Sequence, residues 1–149
     1  MVADRATRVR IDDSRISAYA AGLPVDKVAK PQLDPNCHYL GRREDTVNFL
    51  LTLDTINFGS GYFPHLRKRP GMSGYFTVAS ALHDAYVAQG PLSARQLAEI
   101  SVQECVRMFD QDPDNTIARE LMQHFSAALI DLVRFVLERF NCSFTDLVV

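Results

Sequence analysis

The chain has 149 residues, 47% hydrophobic and 23% charged, with 16 Lys plus Arg against 18 Asp plus Glu and a formal charge of −2. Such a composition excludes a wholly disordered chain, and the length suits a single domain over residues 1–149 with a sizeable core. The near-neutral balance lacks the basic surplus that holds duplex nucleic acid or anionic lipid, so neither is expected as a direct partner.

Taken in order, the elements read as helices. Val9 and Ile11 suit a short extended entry, Asp12 or Asp13 can cap a helix over Ser14–Ala21, and Gly22 suits a left-handed stop. Leu23 to Arg43 reads as loop with room for a short helical turn, punctuated by Pro24, Pro31 and Pro35. A helix follows from about Glu44 to Ile56. Val47, Phe49, Leu50, Leu51, Leu53 and Ile56 make it apolar nearly all round, which predicts a central, buried position. Phe58 to Met72 is a loop rich in glycine and proline. Ser73 caps a helix to about Ala88, with Gly90 ending it. Two capping boxes come next, Ser93 with Gln96 and Ser101 with Glu104, the second helix ending near Asp110. Asp112 to Asn115 is a turn and cap. The longest helix spans Thr116 to Phe140, with a stripe of Ile117, Leu121, Phe125, Ala128, Leu132, Val136 and Phe140, widened by Met122, Leu129, Val133 and Leu137. Asn141 is a stop signal and Ser143 caps a last turn. With no convincing strand, repeat or linker, the class is all-α, a compact helical domain.

The three cysteines, Cys37, Cys105 and Cys142, are odd in number and widely spaced, which favours reduced, mostly buried thiols and a cytoplasmic location. The first residues lack the apolar run of a signal peptide. Asp4, Asp12 and Asp13 speak against a transit peptide despite Arg5, Arg8, Arg10 and Arg15. The apolar end, Leu147-Val148-Val149, suggests a continuation or a partner surface.

One stretch carries chemistry. Asp54 and Asn57 are three apart, so a helix puts both on one face at its C-terminal end. They either satisfy each other locally or point into a site. Gly59-Ser60-Gly61 permits close backbone approach, and Phe58, Tyr62, Phe63, Tyr75 and Phe76 surround it with rings able to stack on a nucleobase. Two of the three phenylalanines are expected to be core instead. Tyr62 and Tyr75, each a ring with a hydroxyl, are the better candidates. Ser73, Gly74 and Tyr75 sit at a helix N-terminus, where free N–H groups favour an anion, with Arg67, Lys68 and Arg69 just before it. Together they suit a phosphate; the plainer reading is a solvated basic loop beside an ordinary serine cap. Of the four histidines, His38 lies in a loop and is the functional candidate. His65, His83 and His124 complete the set, and their spacings match no zinc pattern, so no metal is expected.

These residues resemble the queuosine salvage family, the queuosine 5′-phosphate N-glycosylases (hydrolases). The resemblance rests on Asp54-Thr55-Ile56-Asn57-Phe58, on Ser73-Gly74-Tyr75 with an aromatic following, on Leu92-Ser93 and Gln103 to Met108, and on Glu138-Arg139-Phe140 with Ser143-Phe144. It runs from about Val9 onward. It implies an all-helical fold distantly similar to helix-hairpin-helix DNA glycosylases. It also implies hydrolysis of queuosine 5′-phosphate to queuine and ribose 5-phosphate without metal or cofactor, the base feeding tRNA modification. Family members are longer, and the resemblance places their catalytic aspartate and a lysine in a C-terminal half with no counterpart here. The chain therefore resembles the N-terminal half, and no catalytic residue is assigned. The expected substrate-binding set is His38, Asp54, Asn57, Phe58, Tyr62, Arg67, Lys68, Ser73, Gly74 and Tyr75. The expected partners are the nucleotide and either a second copy of the chain or a C-terminal half. The alternative is a non-catalytic helical module that binds a nucleotide or another protein.

Overall fold

Side-chain caps decide where four helices of this protein start, those headed by Ser73, Ser93, Ser101 and Asn115. The structure, a computed structural model, describes residues 12–27, 32–140 and 143–148. Residues 1–32 and 33–149 form two compact units.

In the first unit a 3₁₀ turn over Asp13–Arg15 leads into α1 (Ile16–Ala21), and a second 3₁₀ turn covers Val25–Lys27. Two expectations change here. Asp12 does not cap the helix; its Oδ1 accepts the Ser14 hydroxyl at 2.6 Å, and α1 starts two residues later than Ser14. Gly22 is not left-handed: at φ −84° its N–H reaches back to the carbonyls of Ala18 and Tyr19, so the last turn simply tightens. The entry at Val9 and Ile11, the stop at Asn141, and Cys142 and Val149 lie outside the described residues.

The second unit holds α2 (Arg43–Thr55), a 3₁₀ turn (Phe63–His65), α3 (Gly74–Gln89), α4 (Ala94–Ala98), α5 (Val102–Met108), α6 (Thr116–Arg139) and a closing 3₁₀ turn (Thr145–Leu147). No described residue is in a strand, and the class is all-α. Ser73 Oγ accepts the Phe76 N–H, both capping boxes form, and Asn115 Oδ1 accepts the Ala118 N–H at 3.0 Å. Gly90 ends α3 at φ +81°, a conformation open to glycine at little cost.

The long α6 packs against α2, α4 and α5, and the core fills the space between them. Phe49, Leu53, Leu82, Leu97, Phe109 and Phe125 are among its fully buried side chains. Helix α2 is less central than its composition suggests: Phe49, Thr52 and Leu53 are buried, while Val47, Leu50 and Leu51 are only partly so. The inward face of α6 keeps the middle of the expected stripe and gains Ala118 and Ser126, while its edges turn outward. Ala118, Met122, Ser126, Leu129 and Val133 point in with Leu121, Phe125 and Val136, whereas Ile117 and Leu137 are exposed. At the end of the chain, Phe144 is buried and the turn over Thr145–Leu147 packs on α2, giving part of the apolar tail a place within this unit.

Candidate functional site

The site residues are positioned by the end of α2, the start of α3 and the loop ahead of α2. In that loop Asp34 Oδ1 accepts the Asn36 N–H at 2.9 Å, closing a turn that brings His38 round. His38 Nδ1 lies 3.0 Å from both the N–H and the carbonyl of Asp34, and Nε2 lies 3.2 Å from the Tyr75 hydroxyl. Either tautomer of the neutral ring satisfies this. With Nδ1–H donating to the carbonyl, Nε2 accepts from Tyr75; with Nδ1 accepting, Nε2–H donates to the Tyr75 oxygen. Both fix the imidazole plane.

Tyr75, at the first turn of α3, is partly buried. Burial, then the negative charge of Asp54, then Cys37 push its hydroxyl above the ordinary tyrosine range, so it remains a neutral donor at physiological pH. Asp54 is thus an electrostatic neighbour of the His38–Tyr75 pair. Asp54 and Asn57 close the end of α2 through an N–H to carbonyl bond of 3.2 Å. Their side chains are exposed and make no hydrogen bond among the described residues. A carboxylate with its capacity unspent is thus felt by an imidazole–phenol pair, and an amide with its capacity unspent stands three residues on, at the same helix end.

The glycine loop is built by close packing. Gly59 lies against Leu121 of α6 and the Phe63 ring, and Gly74 at the head of α3 lies directly on Phe63. Of the three phenylalanines, only Phe63 joins the core. Phe58 is 50% exposed, standing edge-on to Phe125, and Phe76 is 42% exposed with its ring 5.2 Å from that of Tyr75. The expectation that two of the three are core therefore fails. The glycine backbone lets the loop hug α6 without burying the ring of Phe58, and Phe76 falls on the outer face of α3. Tyr62 is drawn to α6: its hydroxyl donates to Glu120 at 3.0 Å, and its ring stands edge-on to His124. The two tyrosines are thus anchored on different elements.

The basic triplet is also divided. Arg67 pairs with Asp110 at 3.4 Å and its backbone is held by Gln111. Arg69 binds Asp84 at 2.7 Å, and its N–H donates to Thr77. Burial pushes the Asp84 carboxyl up, but hydrogen bonds and charge from Arg69 and His83 outweigh it and hold the group below the usual carboxylate range. Lys68 has no carboxylate within 4.0 Å among the described residues. Ser73 is spent on its own helix cap, and Gly74 is buried on Phe63, which leaves the backbone N–H groups of the α3 terminus as the anion-facing feature. The sequence reading missed Asp34, which holds His38; its signal was Asp34-Pro35-Asn36, an Asx turn two residues ahead of the histidine.

Cys37 and Cys105 are buried, unpaired thiols. Within residues 33–149, two of the concavities lie elsewhere. One of about 450 Å³ is lined by Val106, Arg107 and Arg119, and one of about 410 Å³ by Ala85, Leu92 and Ile100. Neither includes the partly buried His38–Tyr75 group.

Comparison with known proteins agrees with the residue pattern. The sequence profile described as queuosine salvage protein matches residues 37–149. A curated protein of Sphaerobacter thermophilus, queuosine 5′-phosphate N-glycosylase/hydrolase, is 29% identical over 112 residues, covering 72% of this chain and 35% of the relative. The chain thus spans about a third of the length of the relative it matches. His38, Asp54, Asn57 and Tyr75 fall within the matched range, with Asp34 just ahead of it, and the chain belongs to the queuosine salvage protein family.

Proposed function

We propose that this chain is the nucleotide-binding portion of a queuosine 5′-phosphate N-glycosylase. The observation that carries the reading is the meeting of His38 and Tyr75, 37 residues apart, with Asp54 an electrostatic neighbour of Tyr75 and with the Asp54 and Asn57 side chains unpartnered among the described residues. Cleaving a ribosyl C–N bond builds positive charge on the sugar while the base departs with negative charge. Water's oxygen bonds to C1′ as the C–N bond breaks, and the base carries away a proton. Queuine is a 7-deazaguanine without N7, so its departure depends on groups that grip its other edges. Asn57 offers a donor and an acceptor, Asp54 an acceptor, and Tyr75, oriented by His38, a hydroxyl. Phe76 and Phe58 present rings for stacking. The α3 N-terminus with Lys68 takes the 5′-phosphate. The carboxylate that meets the sugar belongs, by the family resemblance, to a second helical segment, in a longer chain or in a partner. This chain's own part is to bind and orient the nucleotide in the cytoplasm, with no metal or cofactor required.

The test is binding of queuosine 5′-phosphate, read as a rise in the thermal midpoint and as free queuine by chromatography. The expected result is stabilisation, weakened about tenfold in affinity by Asn57→Ala and by Tyr75→Phe, the cost of one lost hydrogen bond in a polar site. No stabilisation of the wild-type chain, or unchanged affinity in both variants, overturns the reading. Release of queuine by the chain alone would make Asp54 the reaction's carboxylate.

A further inference from the structure

We propose that the cleft between α5 and the start of α6 binds a small anion carrying an apolar ring. Its volume of about 450 Å³ falls within the range of small-molecule sites. Val102, Val106 and Pro113 give it an apolar lining, and Arg107 and Arg119 stand on its rim. Neither guanidinium has a carboxylate within 4.0 Å among the described residues, whereas Arg67 and Arg69 are both so paired. Arg119 also sits in the first turn of α6, the positive end of that helix, where a cation is disfavoured unless an anion joins it. Arg107 has only the longer-range charge of Glu104, one turn earlier and spent on its capping box, so two forks without an ion-pair partner over an apolar floor match a phosphate or carboxylate on a ring.

The backbone here is also unusual. Asp110 is the one non-glycine at positive φ among the described residues, at +49°. It ends α5 in a Schellman turn: its own N–H reaches the Arg107 carbonyl, and the Gln111 N–H reaches that of Val106 at 2.9 Å. Glycine would adopt this conformation without strain. An aspartate there puts a carboxylate on the cleft wall, where Arg67 balances it at 3.4 Å and leaves the rim net positive. The Gln111 side chain is held by the backbone of Arg67 and Phe109, so it is wall rather than ligand contact. The cleft shares no residue with the His38–Tyr75 site and stands or falls separately from the proposed glycosylase role.

The experiment is a titration of 1-naphthyl phosphate into the isotope-labelled 149-residue chain, followed by NMR at the Val102 and Val106 methyls and the Arg107 and Arg119 side chains, with inorganic phosphate and 1-naphthol as controls. The expected result is saturable shifts at those four residues. Affinity should fall about tenfold or more for either half-probe and for the Arg107→Gln/Arg119→Gln double variant, as loss of charge-assisted hydrogen bonds requires. Both arginines are exposed, so the variant should keep the wild-type thermal midpoint. Arg119→Lys, which retains charge but not the fork, should fall between the two; it also decides the matter if the double variant fails to fold. Shifts centred on His38 and Tyr75, unchanged affinity in the variants, or 1-naphthol binding as tightly as its phosphate would overturn the proposal.

Discussion

At the scale of single residues, the contact between Gly74 and Phe63 decides how the glycine loop meets α3. Alanine is favoured over glycine inside a helix by up to about 1 kcal/mol, so Gly74→Ala would stabilise an isolated α3. In the folded protein a Cβ at this position would collide with the Cβ and Cγ of Phe63, atoms too near the backbone to swing aside. Overpacking of this kind costs about 1–3 kcal/mol and outweighs the propensity gain. Gly74→Ala is therefore expected to lower the unfolding free energy by a net of about 1–2 kcal/mol, read as a lower urea midpoint at unchanged slope; a raised midpoint would show that Phe63 yields. The sequence displayed Ser73 as a cap and Asp54 with Asn57 as a shared face, because those relations span three or four residues. It did not display the His38–Tyr75 bond, which joins positions 37 apart, nor the diversion of Arg67 to Asp110 and of Tyr62 to Glu120. Those partners are chosen by tertiary approach, and nothing local encodes them.

At the scale of elements, α2 and α3 are joined by a buried polar relay as well as by apolar contact. The Tyr86 hydroxyl donates to Asn48 Oδ1 and lies 3.1 Å from Thr52 Oγ1. The Asn48 amide donates to the Leu92 carbonyl at 3.1 Å, and the Thr52 hydroxyl to the Asn48 carbonyl at 2.8 Å. Tyr86→Phe keeps the ring, which stacks edge-on against Phe49 at 5.1 Å, and removes only the donor. A buried acceptor left unsatisfied costs about 1–3 kcal/mol, so the variant should unfold at lower urea with an unchanged slope. A midpoint equal to wild type would mean that water replaces the hydroxyl. Neither Asn48 nor Tyr86 stands out in the sequence, since a polar residue in an apolar helix reveals its partner only after the helices dock. The phase of α6 shows the same limit. Its apolar residues cover so wide an arc that 3.6-residue periodicity does not mark where the buried face ends, and the expected stripe took in Ile117 and Leu137, which are exposed. Ala118 and Ser126, small and buried, mark that face: there the neighbouring backbone comes close enough for Ser126 Oγ to donate to the Ile100 carbonyl at 2.8 Å.

At the scale of the whole molecule, helix count and order were legible because capping residues and periodicity act locally, while the site is legible only as an arrangement of ends. Burial, a property of the entire core, also sets how stability responds to pH. Cys105 is fully buried, and desolvation, with a smaller push from Glu104, raises its thiol from 9.0 to about 12. Desolvation raises the Tyr86 hydroxyl from 10.0 to about 12. Both groups hold protons in the native state that the unfolded chain gives up, so unfolding becomes more favourable as pH climbs. The loss begins near the ordinary thiol value, is joined by tyrosine near 10, and ends near 12, where the native groups ionise as well. Each group contributes at most about 1.4 kcal/mol per pH unit within its window. Between pH 9 and 10 the thiols dominate, and Cys37, raised by burial and by Asp34 against the pull of Arg69, adds to the slope. Cys105→Ala should therefore lower stability at neutral pH through the lost sulfur contacts yet flatten its fall between pH 9 and 10. Urea titrations at successive pH values separate the two effects, because packing moves the intercept and proton linkage the slope. A slope identical to wild type would mean that the Cys105 thiol ionises in the native protein at its ordinary value, which its full burial makes untenable unless the core opens as the pH rises.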